Sequence, residues 1–348
     1  MTRYRVFKET IAEVHQLIKN YEFLIENRLA PNYFSRKGKL GFENTIMMLL
    51  NFMKKSNQTE INNFFERIIK SKDTVRKQSF NEAREKISYK AFKTLYETTV
   101  KNGISPKDSI LYAGFRLLAL DGSTLLLENT DELIKRFGET TPSKGDVFAR
   151  ISVVCDVLNN FIVDADITPY NIGEQKIAIS HIEQINKHKI DNALFILDRG
   201  YWTPKLISNM CDNGNKFLMR MSKTSCKVVT ENSNNCGNFV VKDGKKQYNL
   251  RFYKFTLPSG EIEILATNLD IRIIPNEKLS ELYFMRWGVE TKYDLIKTKL
   301  QMENFTGKSV LAVLQDFYAT IFLSNLIAFA QYVSDDMITT EPLPPKER

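Results

Sequence analysis

Two short buried-type runs, Phe115-Arg-Leu-Leu-Ala-Leu120 and Ala193-Leu-Phe-Ile-Leu197, each stop on an aspartate that opens a glycine-containing loop, Asp121-Gly122-Ser123 and Asp198-Arg199-Gly200. Apolar runs of this length, bounded by turn residues, read as strands covered on both faces. Between them lie two strand-like segments, Val147–Val157 and Phe161–Ile167, joined through the hairpin signal Asn159-Asn160. Gly173–Lys187 follows with helical periodicity. After the second run, Thr203–Asn213 predicts a helix stopped at Gly214, and Lys216–Met221 a further strand. Strand, hairpin, helix, strand and helix in this order predict an α/β fold with a mixed sheet. Functional side chains in such sheets gather at the carboxyl ends of strands, where both aspartates are expected to stand.

The chain before this core has a different character. Residues 1 to about 105 show apolar spacings of three and four and almost no strand signal, so the region is predicted all-α. Phe42–Met53 and Glu60–Ile69 are helical segments, and basic residues are dense from Lys54 to Lys101: Lys54, Lys55, Arg67, Lys70, Lys72, Arg76, Lys77, Arg84, Lys86, Lys90 and Lys93 among them. Short helices broken at Lys72-Asp73 and a helix over Ser79–Tyr96 fit either a helix-turn-helix-like unit or a plain helical bundle.

Charge sharpens the division. The chain of 348 residues carries a net charge of +8, and residues 1–110 hold 21 basic against 12 acidic residues, a net +9. The remainder is nearly neutral. A segregated basic segment is the footprint of a nucleic-acid binder, although a solvated basic surface without a partner produces the same count.

Several classes are disfavoured. The four cysteines (Cys155, Cys211, Cys226, Cys236) form no paired spacing, and the three histidines (His15, His181, His188) are scattered, which argues against a zinc site or a disulfide framework. The first residues lack the apolar core of a signal peptide, and the apolar stretch Val310–Val333 is broken by Gln315, Asp316, Ser324 and Asn325. It reads as a buried helix. The expectation is a cytoplasmic protein with no membrane partner.

Residues 222 to about 267 are polar and turn-marked, with runs Phe239–Lys242, Tyr248–Thr256 and Glu261–Thr267 separated at Asp243-Gly244 and Pro258-Ser259-Gly260. They predict a β insertion into the core sheet. A long helix is expected from Glu277 to about Leu300, opening after Pro275-Asn276, and the Pro-rich residues 336–348 are expected to be disordered.

On that long helix, Tyr283, Arg286, Glu290 and Lys297 fall within about 60° of arc, a polar stripe roughly 21 Å long. The apolar residues Leu282, Met285, Val289, Tyr293, Ile296 and Leu300 form the adjoining stripe, so Glu290 sits at the margin of the buried face. A carboxylate there can lean over a sheet edge and share a metal with two aspartates. An ordinary amphipathic helix with its charges in water has the same pattern.

Together, the stripe and the two aspartates resemble the DDE transposases of bacterial insertion sequences, in particular the insertion-sequence-four (IS-four) family. The family signature Tyr-x2-Arg-x3-Glu-x6-Lys is matched at every spacing by Tyr283, Arg286, Glu290 and Lys297. Asp121-Gly122-Ser123 resembles its first catalytic block and Asp198-Arg199-Gly200-Tyr201 its second. The resemblance covers about residues 110–330. It implies a ribonuclease-H-like catalytic core (109–335) with a β insertion, preceded by a helical DNA-binding region (1–108). It further implies that Asp121, Asp198 and Glu290 hold two divalent metal ions, Mg2+ with Mn2+ as a substitute. Tyr283, Arg286 and Lys297 would bind DNA phosphates. The implied partners are double-stranded DNA, both element ends and target, and a second copy of the chain, giving a homodimer on DNA. The implied reaction is cleavage at element ends followed by strand transfer, a cut-and-paste transposition. A ribonuclease-H-like nuclease of another class and an inactive DNA-binding regulator derived from a transposase are the alternatives.

Other residues are ambiguous from sequence. Asp156, Asp164 and Asp166 lie within strands, with the hairpin register deciding whether any comes near the site; Glu174 reads as first-turn helix chemistry; His181 and His188 read as surface or helix-end residues. Some relatives make a DNA hairpin and wedge a tryptophan from the β insertion against a flipped base. Here the only tryptophans are Trp202 and Trp287, leaving Phe239, Tyr248, Phe252 and Tyr253 as candidate platforms, with simple packing as the alternative.

Overall fold

A computed structural model describes residues 3–36, 38–51, 57–104, 109–138 and 145–340. Two compact units emerge: residues 1–108, 126–148 and 294–348 form one, and residues 109–125 and 149–293 the other.

The first unit opens with α1 (Arg3–Lys19), α2 (Tyr21–Asn27), α3 (Phe42–Leu50), α4 (Asn57–Phe64, continued by a π-turn over Phe65–Ile69), α5 (Lys77–Arg84) and α6 (Lys90–Gly103). The N-terminal region is all-helical, as its periodicity requires. Lys54 and Lys55 lie outside the described residues. The helix expected over Ser79–Tyr96 is two helices, α5 and α6. The chain leaves helical geometry between them because its backbone pairs elsewhere: Ile87 bridges Arg28, and the Ser88 amide donates to the Asn27 carbonyl at 2.8 Å.

The sheet-bearing part runs β1 (Arg116–Leu127), α7 (Asp131–Phe137), β2 (Val147–Asp156), β3 (Phe161–Pro169), α8 (Glu174–Lys187), β4 (Ala193–Leu197), α9 (Pro204–Asp212), β5 (Lys216–Met221), α10 (Lys227–Thr230), β6 (Cys236–Asp243), β7 (Lys246–Thr256), β8 (Ile262–Thr267), α11 (Asn276–Phe284) and α12 (Trp287–Asp294). The strands make one mixed eight-stranded sheet in the order β3-β2-β1-β4-β5-β8-β7-β6. The central β1, β4 and β5 run parallel, with Leu120 opposite Leu197 at the end of the β1–β4 register. The hairpin β2–β3 turns through Asn160 in the left-handed region (φ 47°), a conformation that asparagine tolerates. The β insertion extends this sheet, because β8 pairs antiparallel with β5 and carries β7 and β6 outward.

Two expectations are corrected. The first strand does not stop at Asp121 but continues to Leu127. Only its pairing with β4 ends there; β2, its other neighbour, keeps it extended. The long helix after Pro275 is also interrupted: α11 ends at Phe284, α12 starts at Trp287, and Leu295–Lys299 is a π-turn. Tight bonds from the amides of Arg286 to Tyr283 and of Gly288 to Met285 make the joint. The straight-helix geometry of the polar stripe therefore does not hold along its whole length.

α11 is seated on the sheet by Leu279 and Leu282, both fully buried with Leu117, Leu194, Ile196, Leu218 and Leu265. Each such leucine contributes about 1.5–3 kcal/mol, enough to fix the start of the polar segment against the central strands. α13 (Val310–Thr340) belongs to the helical unit. It is long and apolar enough to cross a membrane, yet 72% of its apolar window is buried inside the protein, which identifies it as a core helix. Of the tail expected to be disordered, residues 341–348 lie outside the described residues and 336–340 complete α13.

Candidate active site

Asp121 and Asp198 come together because parallel pairing ends at Leu120 and Leu197, and each aspartate is the next residue. Neighbouring strands lie about 4.8 Å apart, so the register alone sets the two carboxylates side by side. Glu290 arrives from α12, which is fastened at three places. The Tyr293 hydroxyl donates to the Asp121 carbonyl at 2.8 Å. The Lys292 ammonium donates to the Asn160 carbonyl in the hairpin turn at 2.8 Å. Gly288 lets the helix approach Val157, whose side chain would stand 3.1 Å from a Cβ at that position.

Arginines serve as counter-charges. The Arg286 guanidinium donates to Glu290 at 2.7 Å, lies 3.9 Å from the Asp121 carboxylate, and keeps its buried Nε without a partner. Arg220, on β5, lies 3.7 Å from Asp198 and pairs with Glu263. The Tyr283 hydroxyl donates to Asp198 at 3.0 Å. Burial pushes the Asp121 carboxyl up to about 6; Glu290 and Asp198 add to the rise, while the Gly122 amide and Arg286 oppose it. For Arg286, burial works against the charge, but Tyr283, Glu290, Asp121 and Asp198 outweigh it.

Among the described residues no three or more His, Cys, Asp or Glu side chains are arranged to hold a metal ion as they stand. The donor set nevertheless suits a hard divalent cation. It consists of carboxylate oxygens, one carboxyl raised by burial and like charge, with the Arg286 guanidinium between Asp121 and Glu290.

Of the residues singled out by sequence, Asp121, Asp198, Tyr283, Arg286 and Glu290 meet in one unit. Lys297 lies in the π-turn of the other unit, 3.7 Å from Glu303. Asp156 is buried against Arg116 and Asn159 and ties the hairpin turn to β1, while Asp164 pairs with His181 at 2.8 Å and ties β3 to α8. His181 is thus a buried residue rather than a surface one. Phe239 and Phe252 are buried against each other and pack the insertion, while Tyr253 stacks on Phe255 and the Tyr248 hydroxyl donates to Asp212. The exposed aromatic beside the site is Trp287, 56% exposed and leaning on Phe284. Sequence reasoning missed Arg220, Arg150 and the closeness of Glu174. Arg220 and Arg150 are single charges on alternating strands, and nothing local marks them.

Comparison with known proteins identifies the family. The family model described as a transposase DDE domain matches residues 112–326, more than half of the chain. The chain is 23% identical over 270 residues to a putative transposase for the insertion sequence element IS4SA of Synechocystis sp., covering 76% of this chain and 74% of that protein. It is 21% identical over 266 residues to the transposase InsG for the insertion sequence element IS4 of Escherichia coli, covering 71% of this chain and 59% of that one, so the chain spans under two thirds of the latter's length. In fold it is similar to the piggyBac transposase seen in a synaptic complex with hairpin DNA, at a TM-score of 0.51 and 14% identity over 97% of this chain and 76% of that one. The ribonuclease-H-like fold expected from the resemblance is borne out. Transposases of this type act with divalent metal ions. The two aspartates, the glutamate on its fastened helix and these matches lead to one statement: the chain belongs to the DDE-domain transposases and is a DNA-cleaving and strand-transferring enzyme of the insertion-sequence kind, resembling the IS4 group.

Proposed function

We propose that the enzyme cuts DNA at the ends of its own insertion sequence and joins those ends to target DNA, a cut-and-paste transposition, with Asp121, Asp198 and Glu290 holding two divalent ions. Magnesium is the ion that hard oxygen donors favour, with manganese as its substitute. When bound, such ions supply the charge that activates the attacking oxygen and stabilises the leaving one in an in-line displacement at phosphorus. The side chains do the rest. Tyr283 fixes one oxygen of Asp198, leaving the other for a ligand. Arg286, released from Glu290, presents a forked donor to a phosphate, and Arg220 offers positive charge beside Asp198. Lys297 adds a point charge to the DNA backbone. The basic helical region carries most of the DNA affinity, two copies act together on paired ends, and the reaction takes place in the cytoplasm.

The observation that carries this reading is the register that sets Asp121 beside Asp198, with Glu290 linked to Asp121 through Arg286. The test is incubation of the purified chain with Mg2+ and DNA that carries the sequences flanking its coding region. Breaks confined to those ends and their joining to a target plasmid are expected. Breaks scattered over the DNA, with no joining, would assign the site to a nuclease of another class.

A further inference from the structure

Glu174 stands in the first turn of α8. Its carboxyl group rests on the backbone that follows each aspartate, 3.5 Å from where a Cβ on Gly122 would lie and 3.7 Å from where one on Gly200 would lie. Gln175, the next residue, donates to the Gly200 carbonyl at 2.7 Å and fastens the start of α8 to the loop after Asp198. Arg150, on β2, pairs with the Glu174 carboxylate and stacks its guanidinium 5.3 Å from the Tyr170 ring. Asp198 with Arg220 and Glu290 with Arg286 show the same arrangement, a carboxylate beside an arginine.

A second observation points to an occupant from outside the chain. The Tyr201 side chain is buried, only 2% exposed, and its hydroxyl has no hydrogen-bond partner. Burial, together with the charges of Asp121, Glu174 and Asp198, holds that phenol well above its ordinary range, with Arg150 opposing. Buried hydroxyls in folded proteins are ordinarily paired. The Tyr201 hydroxyl thus sits in the field of Asp121, Glu174 and Asp198 with no hydrogen-bond partner from this chain.

We infer that Glu174 is a fourth carboxylate of the divalent-cation site, held by Arg150 until a bound cation takes over its charge. The inference rests on the proposed cation site of Asp121, Asp198 and Glu290.

The test is Mn2+ binding to the full chain without DNA, followed by the loss of the free-ion signal in electron paramagnetic resonance, with a thermal melt of each variant. Glu174→Gln keeps the shape and removes the charge, and should weaken Mn2+ binding by about tenfold or more. Arg150→Gln breaks the same ion pair but leaves the carboxylate, and should bind Mn2+ at least as tightly as the unaltered chain. If Glu174→Gln binds Mn2+ normally while Asp121→Asn does not, Glu174 is only a structural partner of Arg150 and the inference falls. If Asp121→Asn also binds normally, the cation site itself is misplaced and both readings fall. Equal weakening in Glu174→Gln and Arg150→Gln would likewise overturn the inference, because it would trace the effect to the ion pair.

Discussion

The Tyr293 hydroxyl donates to the Asp121 carbonyl oxygen at 2.8 Å, which ties the helix carrying Glu290 to the strand carrying Asp121. Tyr293 also lies on the apolar side of its helix and is buried. Removing the hydroxyl alone, in Tyr293→Phe, should cost about 0.5–1.5 kcal/mol of stability. The end-cleavage rate constant should fall by about tenfold or more, with DNA affinity unchanged, since small misplacements of reacting groups are costly. Denaturant melts and single-turnover cleavage measure the two effects. A rate loss no larger than the stability loss accounts for would show that the bond does not position Glu290.

Asp121 gives the metal-free protein a pH signature. Its carboxyl ionises near pH 6 in the folded chain, against a usual value of 3.8, so between those values the folded state holds the extra proton. Stability on this account declines as pH rises from about 4 through 6, and levels off above. Asp121→Asn should therefore stabilise the metal-free protein at pH 8 by at most about 3 kcal/mol, seen as a higher melting temperature, with the gain vanishing near pH 4. A gain that is equal at both pH values would mean that Asp121 is not strained by its charge.

The basic residues of the helical region divide into two kinds. Arg84 is buried and bonded to Asp316 at 2.9 Å, to Gln315 at 3.0 Å and to the Ala312 carbonyl. Arg76 and Lys77 are exposed. Arg84→Ala should cost about 3–5 kcal/mol in a denaturant melt, because it leaves Asp316 buried and unpaired. Arg76→Ala and Lys77→Ala should change stability by under about 0.5 kcal/mol. Each should lower DNA affinity and reduce its salt slope by about one. Unchanged salt slopes in the two exposed variants would move the DNA surface elsewhere.

The sequence reveals the central strands well because they are buried on both faces: β4 and β5 match the runs Ala193–Leu197 and Lys216–Met221 residue for residue. Asp121 and Asp198 are legible for a related reason, since an ionisable residue that ends an apolar run is visible without coordinates. Glu290 is legible through the spacing of Tyr283, Arg286, Glu290 and Lys297. What fails is set by pairing, of backbone or of side chain. The continuation of β1 past Asp121 depends on β2, and the joint between α11 and α12 is made by the short-range backbone bonds of Arg286 and Gly288. The part played by Glu174 was hidden because a glutamate in a first helical turn already has a local explanation, favourable interaction with the helix dipole. Arg84 reads as one more charge in a basic stretch until its partner, 232 residues away, is seen.

Cleavage by single carboxylate variants tests the reacting centre most directly. Asp121→Asn, Asp198→Asn and Glu290→Gln keep side-chain size and remove charge, so each should bind the element's end DNA nearly as the unaltered enzyme does, yet leave it uncut in Mg2+. Near-normal Mg2+-dependent cleavage by any one of the three would contradict the assignment of that residue, and with it the claim that these three carboxylates form the reacting centre.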